Sequence, residues 1–127
     1  MEEGREELRE EAEGEEFQFR GATHPDVVLA GLNSLRKENT FTDVRIQVDQ
    51  TEFPVHKCVL SSFSPYFKAM FTTGLAETDQ DLVTLNGVEA GMMAGLIEYA
   101  YTGEITINKH NVQNLLSAAN LLEVSTT

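Results

Sequence analysis

The side chains in this 127-residue chain best suited to chemistry are few: His24, His56, His110 and the single cysteine Cys58. A hydrolytic or transfer site needs a nucleophile within reach of a base, and a third group that orients the base. Around His56 and Cys58 that set is missing. No Ser stands in an elbow sequence, no carboxylates cluster nearby, and no Gly-rich loop offers backbone amides to a phosphate. Cys58 has no partner for an internal disulfide, and no Cys/His spacing suits zinc. Cys58 therefore reads as a small packed residue rather than a nucleophile. His24 and His110 are isolated and read as surface residues. The expectation is a chain with no catalytic set, no cofactor and no metal.

Charge and composition narrow the partners. The formal net charge is −12, and residues 1–20 hold nine Glu against Arg5, Arg9 and Arg20. Half of the charge thus sits in a tail with too little apolar surface to offset the entropy of ordering, a solvated disordered arm. A nucleic-acid ligand is excluded on the same grounds, since phosphate binding requires a basic face. The length gives one domain with one core. No apolar run approaches a membrane span, and the N-terminus lacks a basic-then-apolar signal pattern. With one cysteine, the expected location is intracellular: the cytoplasm, or also the nucleus.

The elements that would position any site follow from periodicity. Phe17 and Phe19 alternate within Phe17–Arg20, too short to be a strand without a partner; the alternative is a sticky piece of the tail. Pro25 and Asp26 suit a first helical turn, and a helix is predicted to Lys37. On it Val28, Leu32 and Leu35 fall at i, i+4 and i+7, and Val27 and Leu29 widen the apolar face beyond what one small core requires. That surplus suggests a subunit interface; burial within the chain's own domain is the alternative. Val44, Ile46 and Val48 alternate with Arg45 and Gln47 as a strand, and Phe53 and Val55 return it as a hairpin. The chain then turns helical near Lys57 and restarts at Ser64-Pro65, with Ser as N-cap and Pro at the first position. In this second helix Phe67, Met70 and Phe71 form an apolar stripe, and Gly74 is its stop.

Leu82–Leu85 reads as a strand. Asn86 is the expected cap of the next helix, with Glu89 three residues on. Met93, Leu96, Ile97 and Ala100 are its core stripe and Gly103 its stop. Glu104–Ile107 is predicted as a short strand. Asn108–Asn111 then lead into a last helix whose inward face is Val112, Leu115, Leu116 and Ala119.

These motifs, in this order, are specific. Phe41-Thr-Asp-Val44, the Phe53–Glu77 stretch with its Ser64-Pro65 junction, and Tyr99-Ala-Tyr-Thr-Gly103 together resemble the BTB/POZ domain of Kelch-like proteins over roughly residues 24–124. The resemblance implies an α+β BTB/POZ fold, a small mixed sheet with helical hairpins, dimerising through the first helix. It places His56 at the family's strand-to-helix corner, in a hydrogen-bonded structural role. It implies a dimer interface containing Val28, Leu32, Leu35, Asp43 and Lys57, with Asp43 buried near the basic Lys57; a capping or turn role for Asp43 is compatible. It also makes Phe17–Arg20 a strand exchanged across the dimer, beside Glu104–Ile107.

Leu75-Ala-Glu77 is, as a bare triplet, an ordinary loop. Its position after the helix is where many such domains carry an apolar-x-Glu triplet whose apolar side chain enters a pocket on cullin-3. The resemblance therefore assigns cullin binding to Leu75, Glu77 and Tyr101; a half-buried core position is the competing reading of Tyr101. The BTB module continues into a further helix, and Kelch-like proteins add a helical linker domain and a substrate-recognising propeller. None of these is found before Thr127, so the domain is expected to be incomplete at this end, the chain being either cut from a longer protein or a short product, and to meet substrates only through absent domains. The function implied is homodimerisation and adaptor recruitment to a cullin-3 ubiquitin ligase, without enzymatic activity. The rival is a domain used for dimerisation alone or for recruiting transcriptional corepressors.

Overall fold

A computed structural model of the chain describes residues 15–73 and 81–124. Strand β1 (Val44–Val48) is the centre of the sheet, because it is the one strand whose alternation is complete: Val44, Ile46 and Val48 are buried while Arg45 and Gln47 point away. β2 (Thr51–Val55) returns antiparallel to it, Ile46 opposite Phe53, after a two-residue turn in which Asp49 takes φ 54°. Asp tolerates that left-handed conformation better than most residues. β3 (Leu82–Leu85) runs parallel on the other side, Ile46 opposite Val83, so the order is β2-β1-β3. Arg45 bridges both edges, to Glu52 at 2.8 Å and Asp81 at 3.4 Å.

Helices cover the buried face. α1 (His24–Lys37) begins with Pro in its first turn beside Asp26, and ends with Arg36 and Lys37, each charge placed to favour the helix dipole. Asn39, at φ 53°, stops it: its N–H donates to the Arg36 carbonyl and the Thr40 N–H to the Leu35 carbonyl, the paired bonds of a Schellman ending. α2 (Lys57–Phe63) and α3 (Pro65–Thr72) meet at Ser64. Ser64 is fully buried and works twice, accepting from the Phe67 N–H at 3.2 Å and donating to the Leu122 carbonyl at 2.5 Å. The cap expected of it is present; its second bond, which ties the α2–α3 junction to the end of the last helix, has no local sequence signal. Helix α3 closes at Thr73, and the expected stop at Gly74 lies outside the described residues.

α4 (Ala90–Thr102) ends on Gly103 at φ 76°, as expected, but does not start at Asn86. Gly87, at φ 86°, breaks the chain after the strand, and Glu89 is the N-cap, with no side-chain cap bond. α5 (Val112–Leu121) buries Leu115, Ala118 and Ala119, whereas Leu116 stands half in water. It ends like α1: Glu123 at φ 56°, with the Val124 N–H on the Ala119 carbonyl. The core is one cluster in which Ile46, Val55, Leu60, Phe67, Met93 and Ile97 meet.

Two expected strands are unpaired within the single chain. Glu104–Ile107 and Phe17–Arg20 belong to no sheet, and Ile107, Phe17 and Phe19 are exposed. A strand is completed by hydrogen bonds to a neighbour, and neither segment has one within the described residues. Among the described residues no helix is long and apolar enough to cross a membrane, and no three His, Cys, Asp or Glu side chains come together as a metal site.

Candidate functional site

Tyr101 and His56 form the polar centre of the domain. The spacing of Ile97 and Tyr101, i and i+4 on α4, turns the phenol ring inward, where it is 0% exposed. Its oxygen accepts from the backbone N–H of His56 at 2.9 Å and meets His56 Nδ1 at 2.6 Å. His56 Nε2 lies 3.0 Å from the carbonyl oxygen of Thr40. A carbonyl cannot donate, so in an uncharged ring Nε2 carries the hydrogen and Nδ1 accepts from the phenol. One network thus joins α4, the β2–α2 corner and the loop after α1. The assignment of Tyr101 to cullin contact is corrected here: an enclosed ring with its hydroxyl already engaged presents no surface to a partner.

Burial holds the Tyr101 hydroxyl above the ordinary phenol pKa, while the His56 N–H and the Arg36 guanidinium pull it the other way. The folded chain therefore keeps this proton longer than the unfolded chain does. The resulting stability is complete below about pH 10, the unfolded value, and is lost as pH rises through the folded one. Urea midpoints measured across the alkaline range should fall, and in Tyr101→Phe the slope should be shallower.

α1 presents the opposite case. None of its 14 residues is buried. Val27 and Val28 are 62% and 46% exposed, and Leu32 and Leu35 are half-buried, Leu32 packing against the rim of the core. Besides Leu32, Arg36 ties the helix to the domain. Its guanidinium lies 4.8 Å from the centroid of the Tyr101 ring, donates from Nε and Nη2 to Asn33 Oδ1 at 3.0 and 2.7 Å, and reaches Glu98 at 3.1 Å. The stripe is thus split: Val27 and Val28 face out, whereas Leu32 and Leu35 are partly covered.

Asp43 and Lys57 are brought together, though not as an ion pair in a buried interface. Asp43 is exposed, and its Oδ1 accepts from the backbone N–H of Lys57 at 2.7 Å, while the Lys57 ammonium lies 5.7 Å from the centroid of Phe71. Within the single chain Asp43 is uncovered, and the capping role holds: a carboxylate at the first turn of α2 is satisfied by a free helical N–H and by water. Asp43→Ala should cost about 1 kcal/mol, and Asp43→Asn, which keeps an acceptor, much less. Thermal melts of the two variants check this ordering.

Cys58 is also corrected; α2 turns Val59 and Leu60 inward and leaves Cys58 exposed. Leu75 and Glu77 lie outside the described residues. A surface the sequence did not reveal is an apolar cavity of about 140 Å³ between α4 and α5, bounded by Leu96, Tyr99, Ile105, Leu115 and Val124. Its signal was the Ile105/Ile107 alternation, which is equally that of a strand.

A domain with a satisfied polar core and an unburied apolar helix is built for contact with protein. Residues 32–127 match the family described as the BTB/POZ domain. The chain belongs to this BTB/POZ family. It is 41% identical to mouse Kelch-like protein 28 over 101 residues, 80% of this chain and 18% of that protein. To human Kelch-like protein 25 it is 42% identical over 106 residues, 83% of this chain and again 18% of the relative. The chain thus spans about a fifth of the length of the curated relatives it matches. The solved BTB domain of zebrafish PATZ1 superposes with a TM-score of 0.78 at 25% identity, over 86% of this chain and 88% of that one. The resemblance drawn from the motifs is therefore correct as to family and fold, and this BTB domain belongs to a class of protein-interaction modules.

Proposed function

We propose that this BTB domain forms a two-fold homodimer through α1 and, as part of a Kelch-like adaptor, recruits cullin-3 to bring substrates to a ubiquitin ligase. It does so without enzymatic activity of its own, in the cytoplasm or the nucleus. The observation that carries the reading is α1, 14 residues long with none buried and with Val27 and Val28 facing solvent. An amphipathic helix gains most of its stability from packing its apolar face, and here the chain packs it only partly. The half-buried Leu32 and Leu35 extend the same stripe toward the C-terminal end of the helix. Asp43 and Lys57 then belong to the frame that fixes α2, close to the interface rather than in it.

Cullin-3 recruitment rests on the Leu75-Ala-Glu77 triplet and on the likeness to Kelch-like proteins 25 and 28. Leu75 is the anchor, Glu77 the rim contact, and Tyr101 acts only by holding the fold. Anchors in desolvated pockets carry about 2 kcal/mol or more, whereas rim charges carry less. Leu75→Ala should weaken binding to the N-terminal domain of cullin-3 roughly 30-fold or more, and Glu77→Ala should have a smaller effect. Calorimetry decides: equal affinity for the unmodified chain and Leu75→Ala removes Leu75 as anchor and leaves dimerisation alone as the function.

A further inference from the structure

Asn86, the expected cap of α4, caps nothing. β3 ends at Leu85 and α4 begins at Ala90 with Glu89 as its N-cap, so Asn86 and Gly87 stand exposed in the loop between them. Two groups that a folded chain ordinarily engages are unengaged there. Neither the Asn86 carboxamide nor the Gly87 N–H makes a hydrogen bond among the described residues. Gly87 has no side chain to shield its nitrogen, and it takes φ 86°, with Leu121 as the nearest neighbour of an added Cβ at 3.6 Å. The other six Asn are held differently, and none precedes a glycine. Asn33 Oδ1 accepts from Arg36, Asn39 Oδ1 from the Thr42 hydroxyl, and Asn108 Oδ1 from the N–H groups of His110 and Asn111. Asn111 uses both ends of its amide, on the Asn108 N–H and the Thr106 carbonyl. Asn114 and Asn120 lie inside α5, where the N–H that follows each belongs to the helix.

We propose that Asn86 is a modification site, at which the folded chain deamidates spontaneously and acquires an aspartyl or isoaspartyl link between β3 and α4. The Gly87 nitrogen gives up its proton and attacks Asn86 Cγ. The new N–Cγ bond closes a succinimide ring, the Cγ–Nδ2 bond breaks, and the amide nitrogen leaves with that proton as ammonia. Water then opens the ring. Entry at Cγ gives Asp with the main chain unaltered, whereas entry at the Asn86 backbone carbonyl carbon gives isoaspartate, whose main chain runs through Cβ and Cγ. One water is taken up and one ammonia released, with no change of oxidation state, so neither an enzyme nor a cofactor is required. Because the nitrogen attacks as its anion, the rate rises with pH. Both products place a new negative charge beside a surface cleft that Gly87 lines together with Asp49 and Glu89. Isoaspartate also lengthens the joint by one backbone atom, between Leu85, in register with Val48, and Val88, packed at the rim of the core. Only that product alters the geometry of the fold.

The test is incubation of the full chain in mildly alkaline buffer, followed by peptide mapping with electron-transfer fragmentation, which tells isoaspartate from Asp. Conversion at Asn86 should outpace conversion at each of the other six Asn at least tenfold, and should run within tenfold of its own rate in the urea-unfolded chain. The second comparison separates the fold from the dipeptide. Asn86→Gln closes the corresponding larger ring far more slowly, so this variant should lose most of the ammonia release while melting with the fresh chain. Asn86→Asp should also melt with the fresh chain, and the isoaspartyl fraction of the aged chain should melt lower. Conversion at Asn86 no faster than at the other Asn, or a folded chain a hundredfold slower than the unfolded one, would overturn the site. An isoaspartyl fraction that melts with Asn86→Asp would overturn its effect on the β3–α4 joint.

Discussion

Tyr101→Ala should remove a large share of the stability of the folded state. Removing a fully enclosed aromatic ring costs roughly 3–5 kcal/mol, against a total stability of about 5–15 kcal/mol for a domain. This ring also supports the guanidinium of Arg36, which helps to hold α1, and its hydroxyl serves both the backbone and the imidazole of His56. Deleting it leaves a buried donor and a buried acceptor without their partner. Tyr101→Phe isolates that second part, keeping the ring and losing the oxygen, and should cost about 1–3 kcal/mol. Urea unfolding of the three chains gives the order: unmodified, then Phe, then Ala. A Phe variant as stable as the unmodified chain would mean that the network does not contribute to folding.

The second large effect is on association. Val28→Glu should raise the dimer dissociation constant at least ~100-fold. A buried Val is worth roughly 1.5–3 kcal/mol; a two-fold contact removes it twice and puts two unpaired carboxylates into an apolar seam. Val28 is the cleaner probe than Leu32, because Leu32 also packs against its own core and Leu32→Glu would disturb the monomer. Circular dichroism should show Val28→Glu folded while light scattering shows it as single chains. A variant that stays dimeric would move the interface off the N-terminal half of α1.

The parts of this fold legible in the sequence are those fixed by near neighbours. Alternation in Val44–Val48, Ser64-Pro65 at a helix junction and Gly103 after α4 each have a local physical cause, and each stands where expected. Asn39 and Glu123 stop α1 and α5 in left-handed conformations without being glycine, so the usual signal was absent. Glu104–Ile107 alternates as a strand does, but pairing depends on an edge that lies elsewhere in the chain or in another copy. At Tyr101 two signals conflicted. Family position pointed to the surface, while its spacing from Ile97 pointed to the core, and the packing follows the spacing. Asp43 was placed correctly against Lys57 but through the backbone, because a helix N-terminus satisfies a carboxylate without burying it.

That α1 is a dimer surface is the claim on which the rest depends, and sedimentation equilibrium of the unmodified chain at micromolar concentration tests it most directly. The predicted result is a species of twice the 14.1 kDa chain mass that dissociates on dilution. A single-chain mass at every concentration would contradict it.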